Sequence, residues 1–310
     1  MSAELALGCM NFGKRTDRPT SLRIIAAALE AGVTHLDTAN MYADGESERI
    51  VGEALRGCRD TVTVASKVGF GRVRGRAEGL AREAVLAACD QSLARLGIDS
   101  IDLYYLHVPD AATPLESTLD GLGVLLAAGK IKAWGVSNFA SWQILELMGL
   151  ADRAGLPRPA VAQQLYNVLV RQLDIEYFAF AARHPIRTTV FNALAGGVLS
   201  GAHRLDVLPK SGTRFDRNPL YQRRYWQAPL FAAVDSLTAV AAEQGLSMIE
   251  LAYAFLFGRP GVDSVLVGPA TEAHLNAALA ARSVVLSEGT LRAIDEVGRS
   301  LAGTDARYAR

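Results

Sequence analysis

Four side chains in the first third of the sequence are of the types needed for acid–base work at one point: Asp37, Tyr42, Lys67 and His107. A phenol is a weak acid near neutral pH, with an ordinary pKa of about 10. An ammonium beside it stabilises the phenolate, lowers that value and eases proton donation. Lys67 is the candidate ammonium, Asp37 the carboxylate that keeps it charged and oriented, and His107 a group able to align a carbonyl oxygen. Protonating a carbonyl oxygen is half of a reduction. Side chains cannot supply the hydride, so a nicotinamide cofactor is implied. The same residues admit a structural alternative, with Asp37–Lys67 a rim ion pair, Tyr42 a packing aromatic and His107 satisfied by backbone.

Chemistry at one point requires elements that bring these residues together. Strand-like apolar runs cover Leu5–Gly8, His35–Ala39, Thr61–Lys67, Ser100–His107, Ala133–Asn138, Val161–Tyr166, Thr188–Asn192 and Ser264–Gly268. Helical patterns alternate with them. One starts at an N-cap on Thr20 or Ser21 and stops at Gly32, and others cover Glu46–Leu55, Ala77–Arg95, Leu115–Ala128, the stretch from Ser141 to Gly155 and Asp174–His184. Pro229–Gln244, Ser247–Phe257, Glu272–Ala281 and Leu286–Ser300 complete the series. Eight strand–helix units predict an α/β fold, a (β/α)8 TIM barrel of eight parallel strands, as one domain over residues 1–310 with extra C-terminal helices. An open doubly wound sheet is the competing topology. In a barrel, catalytic groups sit at the C-terminal strand ends, where Asp37, Lys67, His107, Asn138 and Gln163 fall. The patternless stretch Gly201–Gln227 is too long for an ordinary connection and marks a binding loop or lid.

Composition narrows the partners. The 310 residues carry 32 basic and 32 acidic side chains, which gives no bulk attraction to nucleic acid or anionic membrane. No apolar run reaches the length of a membrane span, and Met1–Leu7 lacks the features of a signal peptide, so a cytoplasmic protein is expected. Cys9, Cys58 and Cys89 are odd in number and far apart, as expected of free thiols. The histidines show no metal-ligand spacing, so no metal is expected. Gly69-Phe-Gly71-Arg-Val-Arg-Gly75 imitates a dinucleotide fingerprint with one residue too many, and fits better as a mouth loop whose Phe70 touches substrate.

The stretch Asp37-Thr-Ala-Asn-Met-Tyr42-Ala-Asp-Gly45-Glu-Ser47-Glu48 resembles the aldo-keto reductase signature DTAxxYxxGxSE. Leu93–Gly97 with Asp99–His107, Gly129–Ile131 before Gly135–Asn138, and Gln163 continue the likeness in order. Leu106–Asp110 with Thr113-Pro114, Ser137–Trp142, Phe191–Gly201, Arg214-Phe215 and Tyr221–Trp226 are closer to the branch of aflatoxin-aldehyde and succinic semialdehyde reductases. The resemblance implies a catalytic tetrad at Asp37, Tyr42, Lys67 and His107. It implies cofactor contacts from Ser137, Asn138 and Gln163 to the carboxamide, from Phe191 to the ring, and from Asn192, Leu194, Gly196, Gly197 and Gly201 to the pyrophosphate. Gly268, Thr271 and His274 fall where relatives hold the adenosine end. NADPH is the implied cofactor, with NADH as the alternative and Arg204 or Arg282 as candidate phosphate clamps. Met10, Phe70, Trp142, Tyr225, Trp226 and Arg310 are candidate substrate contacts. Convergence of Arg214, Arg223, Arg224 or Arg310 at the pocket would favour a carboxylate-bearing aldehyde. The implied activity is reduction of aldehydes or activated ketones, dicarbonyls included, with a small carbonyl compound as partner and a monomeric or homodimeric state. Two alternatives stand beside it: a cofactor-binding regulatory subunit, like potassium-channel β-subunits, and a barrel enzyme acting on phosphorylated sugars.

Overall fold

Each of the eight apolar runs forms a parallel strand in the computed structural model, which describes residues 2–73 and 75–303. The strands are β1 (Glu4–Gly8), β2 (His35–Asp37), β3 (Thr63–Val68), β4 (Ile101–Leu106), β5 (Ile131–Ser137), β6 (Val161–Leu165), β7 (Arg187–Phe191) and β8 (Ser264–Val267). Every strand pairs with its neighbours in sequence, and β8 returns to β1 with Glu4 opposite Ser264 and Leu7 opposite Val267, closing the barrel. The open-sheet alternative is thereby excluded.

Strand residues alternate between two environments, as a period of two requires. Val64, Val68, Tyr104, Leu106, Trp134 and Val136 pack outward beneath the helices. Ala65, Leu103 and Tyr105 form a separate cluster inside the barrel, with Ala133 and Val161 against it. Asp37, Lys67 and Gln163 share the inward parity and are buried at its C-terminal end.

The helices are α1 (Arg18–Glu30), α2 (Glu46–Ala54), α3 (Arg82–Leu96), α4 (Leu115–Ala127), α5 (Ser141–Arg153), α6 (Tyr177–Arg183), α7 (Pro219–Tyr225), α8 (Ala228–Glu243), α9 (Met248–Phe257), α10 (Glu272–Ala281) and α11 (Glu288–Ala302). Four differences from expectation have local causes. α1 starts before Thr20 because the Asp17 carboxylate accepts from the Thr20 amide at 2.8 Å and Pro19 suits the first turn. α3 starts at Arg82 rather than Ala77, because residues 69–79 carry a short antiparallel pair, Arg72–Val73 with Arg76–Ala77, and the left-handed Gly75 and Gly79. The stretch 201–227 is not wholly irregular, since the Asn218 side chain caps α7 with Pro219 behind it. The extra helices are not confined to the end, because β7 is followed by α7, α8 and α9 before β8. No single helix among the described residues is long and apolar enough to cross a membrane.

Gly135 lies opposite Tyr105 in the β4–β5 register. A Cβ there would stand 2.6 Å from the Val161 carbonyl oxygen and 2.9 Å from the Tyr105 ring. Glycine thus admits the ring that floors the barrel below Lys67, whose ammonium is 5.8 Å from its centroid. Gly135→Ala is expected to cost about 1–3 kcal/mol through overpacking; an unchanged urea midpoint would refute this account of the floor.

Candidate active site

Tyr42 is delivered by a bent segment. Ala43 and Asp44 are both left-handed, with φ of 48° and 53°, and Gly45 follows at 84°. Two consecutive non-glycine residues in that region cost energy and persist where surroundings impose them. Here the surroundings are buried hydrogen bonds. The Ser47 hydroxyl lies 2.8 Å from the Thr38 hydroxyl and donates to the Cys9 carbonyl at 2.9 Å. The fully buried Glu48 accepts from Ser66 and from Arg95, each at 2.5 Å.

Lys67 and Asp37 form a fully buried ion pair. The ammonium also donates to the Thr38 carbonyl at 2.8 Å and reaches the Tyr42 hydroxyl at 3.5 Å, so its three protons are directed to three acceptors. The second Asp37 oxygen accepts from Gln163 Nε2 at 2.8 Å. Burial pulls the lysine pKa down, but Asp37 foremost, then Tyr42, holds it above the ordinary range. The ammonium stays charged.

The phenol departs from expectation. Burial raises the Tyr42 pKa, Lys67 lowers it, and burial prevails, so it stands above its ordinary value rather than below. Tyr42 therefore holds its proton at neutral pH. His107 meets the Tyr42 ring edge-on at 5.9 Å and the Phe70 ring at 5.3 Å. Burial, then Lys67, pushes the imidazole down to about 3, so it is neutral. Its buried Nδ1 has no hydrogen-bond partner among the described residues.

The remaining expected residues divide into groups. Ser137 and Asn138 lie beside the set, with Asn138 donating to the His107 carbonyl and to Ser137 Oγ, both at 3.0 Å. Gln163 was expected at a carboxamide but is engaged by Asp37. Phe191 ends β7 half-buried. Asn192 accepts from the Gly196 amide at 2.8 Å, tying down a turn in which Leu194 leads to left-handed Ala195, Gly196, Gly197 and Gly201. The Gly268 carbonyl accepts from Asn11 at 3.0 Å, while the Thr271 hydroxyl caps α10 by accepting from the His274 amide and the His274 ring accepts from the Ala270 amide. Met10 is half-buried just past β1. Trp142 is 66% exposed on the first turn of α5. Tyr225, expected against substrate, is fully buried and receives a hydrogen bond from Asn192 at 2.6 Å. Trp226 packs edge-on to His203, Phe215 and Phe231. Arg204 is exposed beside Asp206, and Arg282 is exposed at the C-terminal end of α10. Arg310 lies outside the described residues.

Two of the arginines expected to converge at the mouth, Arg214 and Arg224, meet at Tyr221, and Arg15 joins them. Arg214 donates at 3.2 Å to both the Tyr221 hydroxyl and Asn11, and both it and Arg224 lie over the Tyr221 ring. Burial, then Arg214, lowers the pKa of the half-buried Arg15. None of the three pairs with a described carboxylate. Tyr221 and Phe215 cover Gly196, where a Cβ would approach them to 2.8 and 3.1 Å. The cluster therefore stands between the glycine turn and the Gly268–Pro269 backbone that Asn11 holds. Guanidiniums that meet no described carboxylate, gathered beside a glycine turn, suit an anion such as a dinucleotide phosphate. Arg214-Phe215 was visible as a motif, whereas Arg15 carried no signal.

Comparison with known proteins agrees with this geometry. The model of the Aldo/keto reductase family matches residues 4–299. The chain is 36% identical over 240 residues to human aflatoxin B1 aldehyde reductase member 2, covering 74% of this chain and 65% of that protein. It is 33% identical over 266 residues to aldo-keto reductase YhdN of Bacillus subtilis (strain 168), covering 84% and 78%. It is also 30% identical over 282 residues to a probable voltage-gated potassium channel subunit beta of Arabidopsis thaliana, covering 89% and 86%.

A neutral buried histidine makes stability depend on pH with a definite sign. Between about pH 3 and 6.5 the unfolded His107 binds a proton that the folded one refuses, so stability rises with pH across that window and is lost as the pH falls through it. The slope from this group is at most about 1.4 kcal/mol per pH unit. His107→Gln is expected to remove that share of the slope in urea titrations at pH 4.5 and 7.5, and an identical slope in both proteins would show that His107 is not held neutral.

Proposed function

Since the chain belongs to the aldo/keto reductase family and is thus a nicotinamide-dependent oxidoreductase, we propose that it reduces aldehydes to alcohols with NADPH, using Tyr42 as the proton donor. The observation that carries this is the buried set in which Lys67 touches both Asp37 and the Tyr42 hydroxyl, with neutral His107 alongside. The reduced nicotinamide, when bound, supplies a hydride to the carbonyl carbon. As negative charge develops on the carbonyl oxygen, Tyr42 transfers its proton to it and the alcohol is complete. The phenolate left behind faces the Lys67 ammonium, 5.0 Å from the ring centroid, which stabilises it. Neutral His107 hydrogen-bonds the carbonyl oxygen and orients it without competing as a strong acid.

Phe191 and the glycine turn 194–201 are the groups to hold the dinucleotide, and Asn138 and Gln163 stand at the nicotinamide end. Gln163 must then divide its amide between Asp37 and a ligand. Arg15 and Arg214 favour the additional phosphate of NADPH over NADH, and Arg224, also over Tyr221, suits a carboxylate-bearing or dicarbonyl aldehyde. A channel-subunit-like role has the Arabidopsis relative in its favour, but the complete proton-donating set favours turnover.

Reduction of 4-nitrobenzaldehyde, followed by loss of NADPH absorbance, tests the class. Tight NADPH binding with no turnover of any aldehyde would support the subunit role instead. Tyr42→Phe is expected to cut turnover by roughly 10²–10⁴ while cofactor affinity holds; retained turnover would remove its assigned role. Arg214→Ala is expected to weaken NADPH binding about 10- to 100-fold and NADH binding much less, the scale of a lost charge-assisted hydrogen bond. Equal losses would assign Arg214 to an anion other than the extra phosphate.

A further inference from the structure

The Glu78 carboxylate belongs to none of the groups above, yet it joins two of the walls around them. One oxygen accepts from the amides of Gly69 at 2.7 Å and Gly71 at 3.2 Å, and the other from Asn40 Nδ2 at 2.5 Å. The first pair fixes the backbone on both sides of Phe70. The other bond fixes the segment that leads from β2 into Tyr42, and the Asn40 amide itself donates to the Lys67 carbonyl at 3.3 Å. Phe70 is 51% exposed, so packing alone does not hold its ring. The ring nevertheless lies against His107, on which Tyr42 also abuts. Tyr42, His107 and Phe70 thus line one trough, and its two outer members hang from a single carboxylate. The far end of the loop is secured separately, by Asp110 accepting from the Leu80 amide at 2.9 Å.

We propose that Glu78 is a positioning residue that sets Phe70 over His107 in register with Tyr42, and that Phe70 is the specificity-determining wall for flat, conjugated aldehydes. This rests on the reductase activity proposed above. An aromatic face against a planar substrate is worth about 0.5–1.5 kcal/mol, a factor of up to ~10 in KM. Short aliphatic aldehydes gain none of it.

The test is a cycle of Phe70→Ala, Glu78→Ala and the double variant, with Glu78→Gln as the conservative control. Each is assayed with 4-nitrobenzaldehyde and butanal, and its amide hydrogen exchange is followed over residues 69–79. Either single alanine variant should raise KM for the aryl aldehyde three- to tenfold with butanal little changed, and the double variant should add nothing further. Glu78→Ala should also speed exchange at Gly69 and Gly71 while the unfolding midpoint stays near wild type, and Glu78→Gln, keeping one acceptor oxygen, should fall between. Additive KM effects, or unchanged exchange at the two glycines, would overturn the proposal. The exchange readout needs no turnover, so failure of the clamp is distinguishable from failure of the reductase activity.

Discussion

The site depends on keeping an ammonium charged inside a barrel. Moving Lys67 out of water carries a penalty of several kcal/mol, and a lone carboxylate recovers it only when the remaining hydrogen-bonding capacity is also met. The structure meets it on all sides. Asp37 and the Thr38 carbonyl receive the ammonium, Gln163 occupies the other Asp37 oxygen, and the Tyr105 ring lies below. What remains of the ammonium is directed at the Tyr42 hydroxyl. The charge is thus committed to one neighbour, and the phenol beside it is the group whose ionisation it favours.

That commitment explains the effort spent on the segment after β2. Tyr42 can meet Lys67 because Ala43 and Asp44 adopt a left-handed bend that neither prefers. Ser47 and Glu48, buried one turn later, hold the bend from within the fold. Glu78 holds the same segment from the opposite side through Asn40.

Much of this was legible in the sequence. The alternating runs locate all eight strands, and the positions of Asp37, Lys67 and His107 at strand ends put them at one mouth. What escaped was governed by distant contacts or by burial. Gln163 lies 126 positions from Asp37, and nothing local announces their hydrogen bond. The direction of the Tyr42 shift needed the degree of burial as well as the charge of Lys67. Ala77, Glu78, Leu80 and Ala81 are helix formers, yet Gly79 is left-handed, the carboxylate of Glu78 is committed to loop amides and the helix waits until Arg82. Tyr225 reads as a pocket wall by motif, but α7 turns it into the fully buried packing beneath it.

The closure of the barrel carries a consequence in time. Glu4 pairs with Ser264, 260 positions later, so the ring cannot exist until nearly the whole chain has been synthesised. Asp37 and Lys67, by contrast, emerge early, on adjacent strands of a sheet that still has two open edges. Until β8 arrives to join β1, that pair faces solvent, where it is weak and the strand edges beside it are free to pair wrongly. Late contacts of such long sequence separation are slow to form. The charge pair at the centre of the chemistry is therefore among the last features of the protein to become buried, although its residues are among the first to be made.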